Sequence, residues 1–385
     1  MSETATPTNK MSFEQLCVTD SEYHLPVAPR PHSLVVQAMS TFITGADGFV
    51  GKSIGLACLE SGEGLRVLVR SDRSAEEWAA RGAEATVGSI ADPALIAKAA
   101  AGSESFVHAA SANAPGSSPR ALGWINVAGT ENALRAAAHV GCGRFIHMSC
   151  ADVTLHDGDR VGWNEDRTPA GKPLGAHART KLLTEAVVLA HTGPMDTMAL
   201  RPSWIWGPGD TSRLPYLCRE MSAGGIQLVG TGESLLATVY IDHLVQAALG
   251  AIGASGVRGE AFCINDPEMH SAREFFSKLS DSVGGPAPRK GLPLRWSMLS
   301  ARLRGDRATS GLRPSDVAVR GISAHFDYQR AARKLGYSPS LSVSEGMERL
   351  RGWATEQGGH RVLAELARAP STDSDIAAQA SAAKA

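Results

Sequence analysis

The segment Thr44-Gly45-Ala46-Asp47-Gly48-Phe49-Val50-Gly51 constrains this chain more than any other stretch. An apolar run, Ser40 to Ile43, precedes it and reads as a buried strand. A helical pattern with Ile54, Leu56, Ala57 and Leu59 follows it to Glu60. A strand, a three-glycine turn and a helix form the arrangement that takes a dinucleotide pyrophosphate. The first glycine permits the tight turn, the second lets backbone approach the phosphates, and the third lets helix pack on strand. The helix N-terminus adds free N–H groups and a partial positive charge. The same residues also fit a relaxed phosphate-loop pattern ending in Gly51-Lys52-Ser53. That reading needs glycine where Ala46 stands and a separate magnesium-binding acid.

The rest of the chain decides between them. Leu65–Arg70, Ala85–Gly88, Ser105–Ala110 and Arg144–Met148 read as strands. Helical patterns at 74–82, 93–101 and 121–140 separate them. Such alternation predicts βαβ units and a parallel sheet with right-handed crossovers. Further strands are expected at Thr197–Leu200, Val239–Asp242 and Ala261–Asn265, and helices at 243–252, 271–283, 328–336 and 342–357. Residues 285–315, rich in proline, arginine and glycine, give no clear pattern.

Composition narrows the class. With 38 Lys+Arg against 39 Asp+Glu, no general pull toward nucleic acid or membrane is expected. The six cysteines include no CxxC pair, which points away from a disulfide framework or zinc site and toward a reducing cytoplasm. No metal site is expected, and no run is long and apolar enough to span a bilayer. At the end of the second strand, where an acid would take the 2′-hydroxyl of NAD, stands Arg70 with Arg73 close by. A guanidinium suits a 2′-phosphate, so NADP(H) is expected over NAD(H), with Asp72 keeping NAD(H) open.

In family order, Thr44-Gly45-x-x-Gly48-x-x-Gly51, Val107-His108-Ala109-Ala110, Asn126-Val127-x-Gly129-Thr130, Arg201-Pro202-x-x-x-x-Gly207-Pro208-Gly209-Asp210, Tyr240-Ile241-Asp242 and Leu335-Gly336-Tyr337 resemble an extended short-chain dehydrogenase/reductase. The resemblance lies nearest the 3β-hydroxysteroid dehydrogenase and dihydroflavonol reductase branch of the NAD-dependent epimerase/dehydratase family. It implies an α/β fold: a Rossmann-type doubly wound parallel sheet with a smaller C-terminal α/β substrate lobe. The expected division is a flexible leader (1–38), a dinucleotide-binding domain (39–263, with 203–236 contributing to the lobe), the lobe (264–357), and a C-terminal helix or disordered tail (358–385). It also implies a small-molecule substrate and a homodimer as the family habit. Cofactor contacts are expected from Thr44, Gly45, Asp47, Gly48, Phe49, Val50, Gly51, Arg70, Ala109, Ala110, Asn126, Lys181 and Pro202.

The family's catalytic set is a Ser or Thr after the fifth strand and a Tyr-x-x-x-Lys on the next helix, whose spacing puts both side chains on one face. Here the chain reads His177-Ala178-Arg179-Thr180-Lys181, and Cys150, preceded by Ser149, aligns with the serine. Three readings follow. His177 replaces tyrosine as acid and base in a ketone–alcohol oxidoreductase, with Ser149 or Cys150 orienting the carbonyl and Lys181 holding the ribose. Alternatively, Cys150 and His177 form a thiolate–imidazolium pair for non-redox chemistry, such as acyl transfer, hydrolysis or carbon–carbon or carbon–sulfur bond making or breaking. Or the site is lost and the protein only binds nucleotide. The first implies a medium-sized, mostly apolar substrate.

Overall fold

The computed structural model describes residues 40–156, 158–167, 171–306 and 311–367. The expected leader and the tail beyond 367 lie outside the described residues. The chain runs β1 (Ser40–Thr44), α1 (Phe49–Glu60), β2 (Gly64–Val69), α2 (Asp72–Ala80), β3 (Glu84–Val87), α3 (Pro93–Ala100), β4 (Ser105–His108), α4 (Pro119–Leu122), α5 (Gly129–His139) and β5 (Arg144–Met148). It continues with β6 (Arg160–Trp163), α6 (Ala176–Leu189), β7 (Asp196–Pro202), β8 (Trp204–Trp206), α7 (Leu214–Ser222), β9 (Gln227–Val229), β10 (Thr238–Tyr240), α8 (Ile241–Gly253) and β11 (Glu260–Ile264). Last come α9 (Ala272–Ser282), β12 (Arg289–Leu292), α10 (Leu294–Arg304), α11 (Pro314–Gly321), β13 (Ala324–Phe326), α12 (Gln329–Leu335), α13 (Val343–Glu356) and α14 (Gly359–Leu363).

Seven strands form one sheet in the order β11-β7-β5-β4-β1-β2-β3. Every neighbouring pair is parallel. The chain moves one way from β1 to β3 and the other way from β4 to β11. The sheet order therefore reverses between β1 and β4, which is where open α/β sheets leave a crevice at the strands' carboxyl ends. The central strands are buried on both faces, with Phe42, Ile43, Val107 and Ile146 at 0% exposure, so they read as apolar runs rather than alternating ones.

The helices start as their sequences dictate. Asp92 caps α3 by accepting from Leu95 N–H at 2.9 Å, and Ser342 with Glu345 forms a capping box on α13. Helix α1 starts differently: Gly48 offers no side-chain cap, so the first-turn N–H groups have no side-chain partner.

Two expectations need correction. The helix expected over 121–140 runs from Pro119 to His139, and its stretch Gly123–Ala128 is π-helical. A π turn widens the helix by one residue and rotates the side chains after it, which no apolar periodicity signals. The unreadable stretch 285–315 holds β12, α10 and the start of α11. Strand β12 pairs with β9, and β13 with β6, both parallel and far apart in sequence. Such pairings depend on contacts that no local window contains.

Candidate active site

The crevice opens at the glycine turn. Gly45 has φ +79°, and a Cβ there would sit 2.5 Å from Ala110 N; a Cβ on Gly51 would sit 2.3 Å from Gly45 O. Neither position admits a side chain. The turn, Ala109 just past β4 and the uncapped α1 therefore present backbone to a cavity of about 160 Å³. Gly45, Gly48, Phe49, Val50, Gly51, Ala109, Ser149, Cys150, His177, Lys181 and Pro202 all line it. This is the cradle a pyrophosphate requires, and the residues present fit a nicotinamide dinucleotide. The cavity lining contains no tyrosine among the described residues; Tyr216 lines the adjoining, larger cavity of about 570 Å³.

Other expected contacts lie elsewhere. The Thr44 side chain is fully buried, and its hydroxyl bonds His108 Nδ1 at 2.7 Å. The hydroxyl is thus engaged inside the sheet. Asp47 accepts from Arg70 N–H at 3.0 Å and from the Ser74 hydroxyl, tying the glycine turn to the β2–α2 loop. Arg70 itself is exposed just past β2. Asn126, in the π-helical stretch, is buried; its Oδ1 accepts from Ala112 N–H at 2.7 Å, and its Nδ2 donates to Ala112 O at 3.1 Å and to Thr180 at 2.9 Å. It braces the loop after β4 against α6 rather than lining the crevice. Ala110 packs against Gly45.

Helix α6 carries His177 and Lys181 one turn apart. Lys181 is 4% exposed and donates from Nζ to Met148 O at 2.6 Å. Burial pushes its ammonium down to about 8, against the opposing pull of Cys150 and Glu185. His177 is half-buried and its Nδ1 lies 3.1 Å from Ala112 O. A carbonyl only accepts, so Nδ1 carries the proton and Nε2 is left with a lone pair. Burial, then Lys181 and Arg213, push this imidazole down to about 3. At neutral pH it is an uncharged proton acceptor.

Ser149 and Cys150 separate in role. Ser149 donates to the buried Glu185 carboxylate at 2.6 Å, and Glu185 is held by Arg201 at 2.6 Å. Arg201 thus joins β7 to α6. Cys150 has no hydrogen bond to His177 among the described residues, and burial followed by Asp152 pushes its thiol up to about 12. It is an uncharged S–H, which weakens the thiolate–imidazolium alternative.

His108 and His147 complete the sheet's end. His108 Nε2 meets Thr130 Oγ1 at 3.0 Å, and Thr130 in turn donates to Asn126 O at 2.6 Å. That orders one chain of donors through a neutral ring. Among the tryptophans, Trp204 lines both cavities, whereas Trp206 is core and donates to Asp266 at 3.1 Å. Sequence reasoning missed Glu185, Arg160 and Arg213. Nothing local marks them, because each gains meaning only from partners on distant elements.

A seven-stranded parallel sheet with a glycine-turn crevice and a helix-borne basic pair at its rim defines a nucleotide-dependent enzyme of the Rossmann type. Residues 41–264 match the NAD dependent epimerase/dehydratase family, and the chain belongs to that family. It is 30% identical over 333 residues to the 2-alkyl-3-oxoalkanoate reductase of Stenotrophomonas maltophilia, covering 81% of this chain and 98% of that one. It is 28% identical to the 4-hydroxy-2-methyl-3-oxo-4-farnesyl-3,4-dihydroquinoline-1-oxide ketoreductase of Stigmatella aurantiaca, covering 81% and 96%. It is 27% identical to the 3 beta-hydroxysteroid dehydrogenase/Delta 5-->4-isomerase of Mycobacterium tuberculosis, covering 82% and 90%. Among solved structures, the UDP-glucuronic acid 4-epimerase of Bacillus cereus in complex with NAD shares the fold at TM-score 0.65 and 21% identity, covering 83% and 99%. No helix among the described residues is long and apolar enough to cross a membrane.

Proposed function

We propose that this protein interconverts a ketone and an alcohol on a medium-sized, mostly apolar molecule, using a nicotinamide dinucleotide, with NADP(H) preferred. The observation that carries the reading is the placement of His177. It sits one helical turn before Lys181, with Nδ1 anchored and Nε2 free, in the crevice that begins at the glycine turn. The dinucleotide, when bound, supplies or accepts the hydride. His177 takes the alcohol proton at Nε2 during oxidation and returns it during reduction. The Cys150 thiol is a weak donor to the same oxygen, and Lys181 holds the ribose. The relatives' names agree on an oxo or hydroxyl group and diverge on the rest of the molecule.

Nicotinamide absorbance with a panel of ketones tests this. His177→Phe is expected to lose about 10²-fold or more of turnover while still binding NADPH, and Cys150→Ala to stay within about tenfold of wild type. Product formed without nicotinamide consumption, and abolished by Cys150→Ala, would overturn the proposal in favour of thiol chemistry. Tight nucleotide binding with no turnover on any ketone would leave only a nucleotide-binding role.

A further inference from the structure

One buried cation in the crevice forms no ion pair among the described residues. Arg160 opens β6 and is 2% exposed. Among the described residues its Nε is buried without a hydrogen-bond partner, and its Nη1 reaches only Thr154 Oγ1, at a long 3.4 Å. The guanidinium lies over the Phe326 ring, 5.7 Å from the centroid. The charges facing it are Asp152 and Asp159, and neither forms an ion pair with it. Asp159 accepts from Ser323 N–H at 3.0 Å, and Asp152 lies 3.5 Å from Arg213. Arg160, Arg213 and Lys181 line this cavity, and Asp152 is the carboxylate that lines it with them.

A guanidinium out of water is costly unless an anion meets it. Arg160 shares that cavity with Cys150, His177 and Lys181, so an anion on Arg160 belongs to the molecule whose oxygen reacts there. We propose that Arg160 anchors a carboxylate of the substrate, which makes the substrate an oxo or hydroxy carboxylic acid. The planar fork of arginine matches a carboxylate's two oxygens. The apolar remainder of the substrate extends past Trp204, which lines both this cavity and the larger one. This inference rests on the ketone–alcohol reading for the identity of the reacting group, though not for the anion site itself.

Calorimetry on the NADPH-loaded protein with 3-hydroxyoctanoate and with its methyl ester tests the anchor in a complex that cannot turn over. The free acid is expected to bind at least about tenfold tighter than the ester. Arg160→Gln should bring the two within about twofold, Arg160→Lys should keep part of the preference, and the NADPH affinity should hold in both. Equal binding of acid and ester by the wild-type protein overturns the proposal without recourse to any variant. So does an Arg160→Gln protein that loses NADPH affinity and keeps its preference for the acid, because the guanidinium would then serve the cofactor. Turnover distinguishes the two levels. Selective acid binding with no oxidation of NADPH by 3-oxo acids leaves the anchor standing and sinks the reductase reading; turnover of neutral ketones with no preference for acids does the reverse.

Discussion

His177 Nδ1 and Asn126 Nδ2 converge on one carbonyl oxygen, that of Ala112, each at 3.1 Å. That shared acceptor fixes the imidazole tautomer from outside the helix that carries it. The π-helical stretch bearing Asn126 therefore holds the carbonyl that sets which ring nitrogen carries the proton.

The first consequence is a pH profile. An imidazole pushed down to about 3 stays neutral across the ordinary histidine range. Alcohol oxidation is expected to show no acid limb near pH 6.5, and a limb near pH 8 where Lys181 titrates. Ketone reduction, which needs the proton returned, should speed up as pH falls from 8 toward 6. Measuring kcat/KM in both directions over pH 5–9 checks this. An oxidative limb near 6.5 would place the proton acceptor elsewhere.

The proposed preference for NADP(H) rests on Arg70. Its backbone N–H is tied to Asp47, so replacing the side chain leaves the turn intact. Arg70→Ala is expected to raise the KM for NADPH about tenfold and leave that for NADH within about twofold. Equal changes for both nucleotides would show that the guanidinium does not meet the 2′-phosphate.

The buried pair of Glu185 and Arg201 is a stability element. Glu185→Leu leaves Arg201, 8% exposed, without its carboxylate. The expected loss is about 3–5 kcal/mol in denaturant unfolding. The double variant Glu185→Leu/Arg201→Leu should recover most of it. If the single variant cost less than about 1 kcal/mol, solvent would be reaching this pair.

Acid sensitivity follows from His108 and His147, both fully buried. Burial, then Lys181, drives His108 down to about 3 and His147 well below its ordinary value. Folded values below unfolded ones mean the unfolded chain takes up protons first as pH drops under 6.5. The stability these neutral rings contribute is present above 6.5 and is lost as pH falls toward 3. The Tm should fall by about 5 °C or more between pH 7 and pH 5, less steeply in His108→Gln. A flat Tm over that window would contradict the burial of both rings.

The glycine turn, the alternating elements and the sheet were legible because their signals are local: bare glycines at a strand end, apolar runs, four-residue spacing. Thr44 shows the limit. A motif position marks its backbone, but only packing reveals that its hydroxyl serves His108. Ser149 and Cys150 are neighbours in sequence yet face different partners, Glu185 and the crevice. Arg160 is a strand residue only through its pairing with β13, which no local window contains.

That pairing also sets an order of assembly. Ala324 meets Arg160 from 164 positions further along the chain, and Phe326 forms the surface over which the guanidinium lies. During synthesis, the nucleotide cradle at residues 45–51 emerges early, whereas the wall opposite it waits for residue 326 to leave the ribosome. The side of the cavity that Arg160 and Phe326 form is therefore completed only late in synthesis.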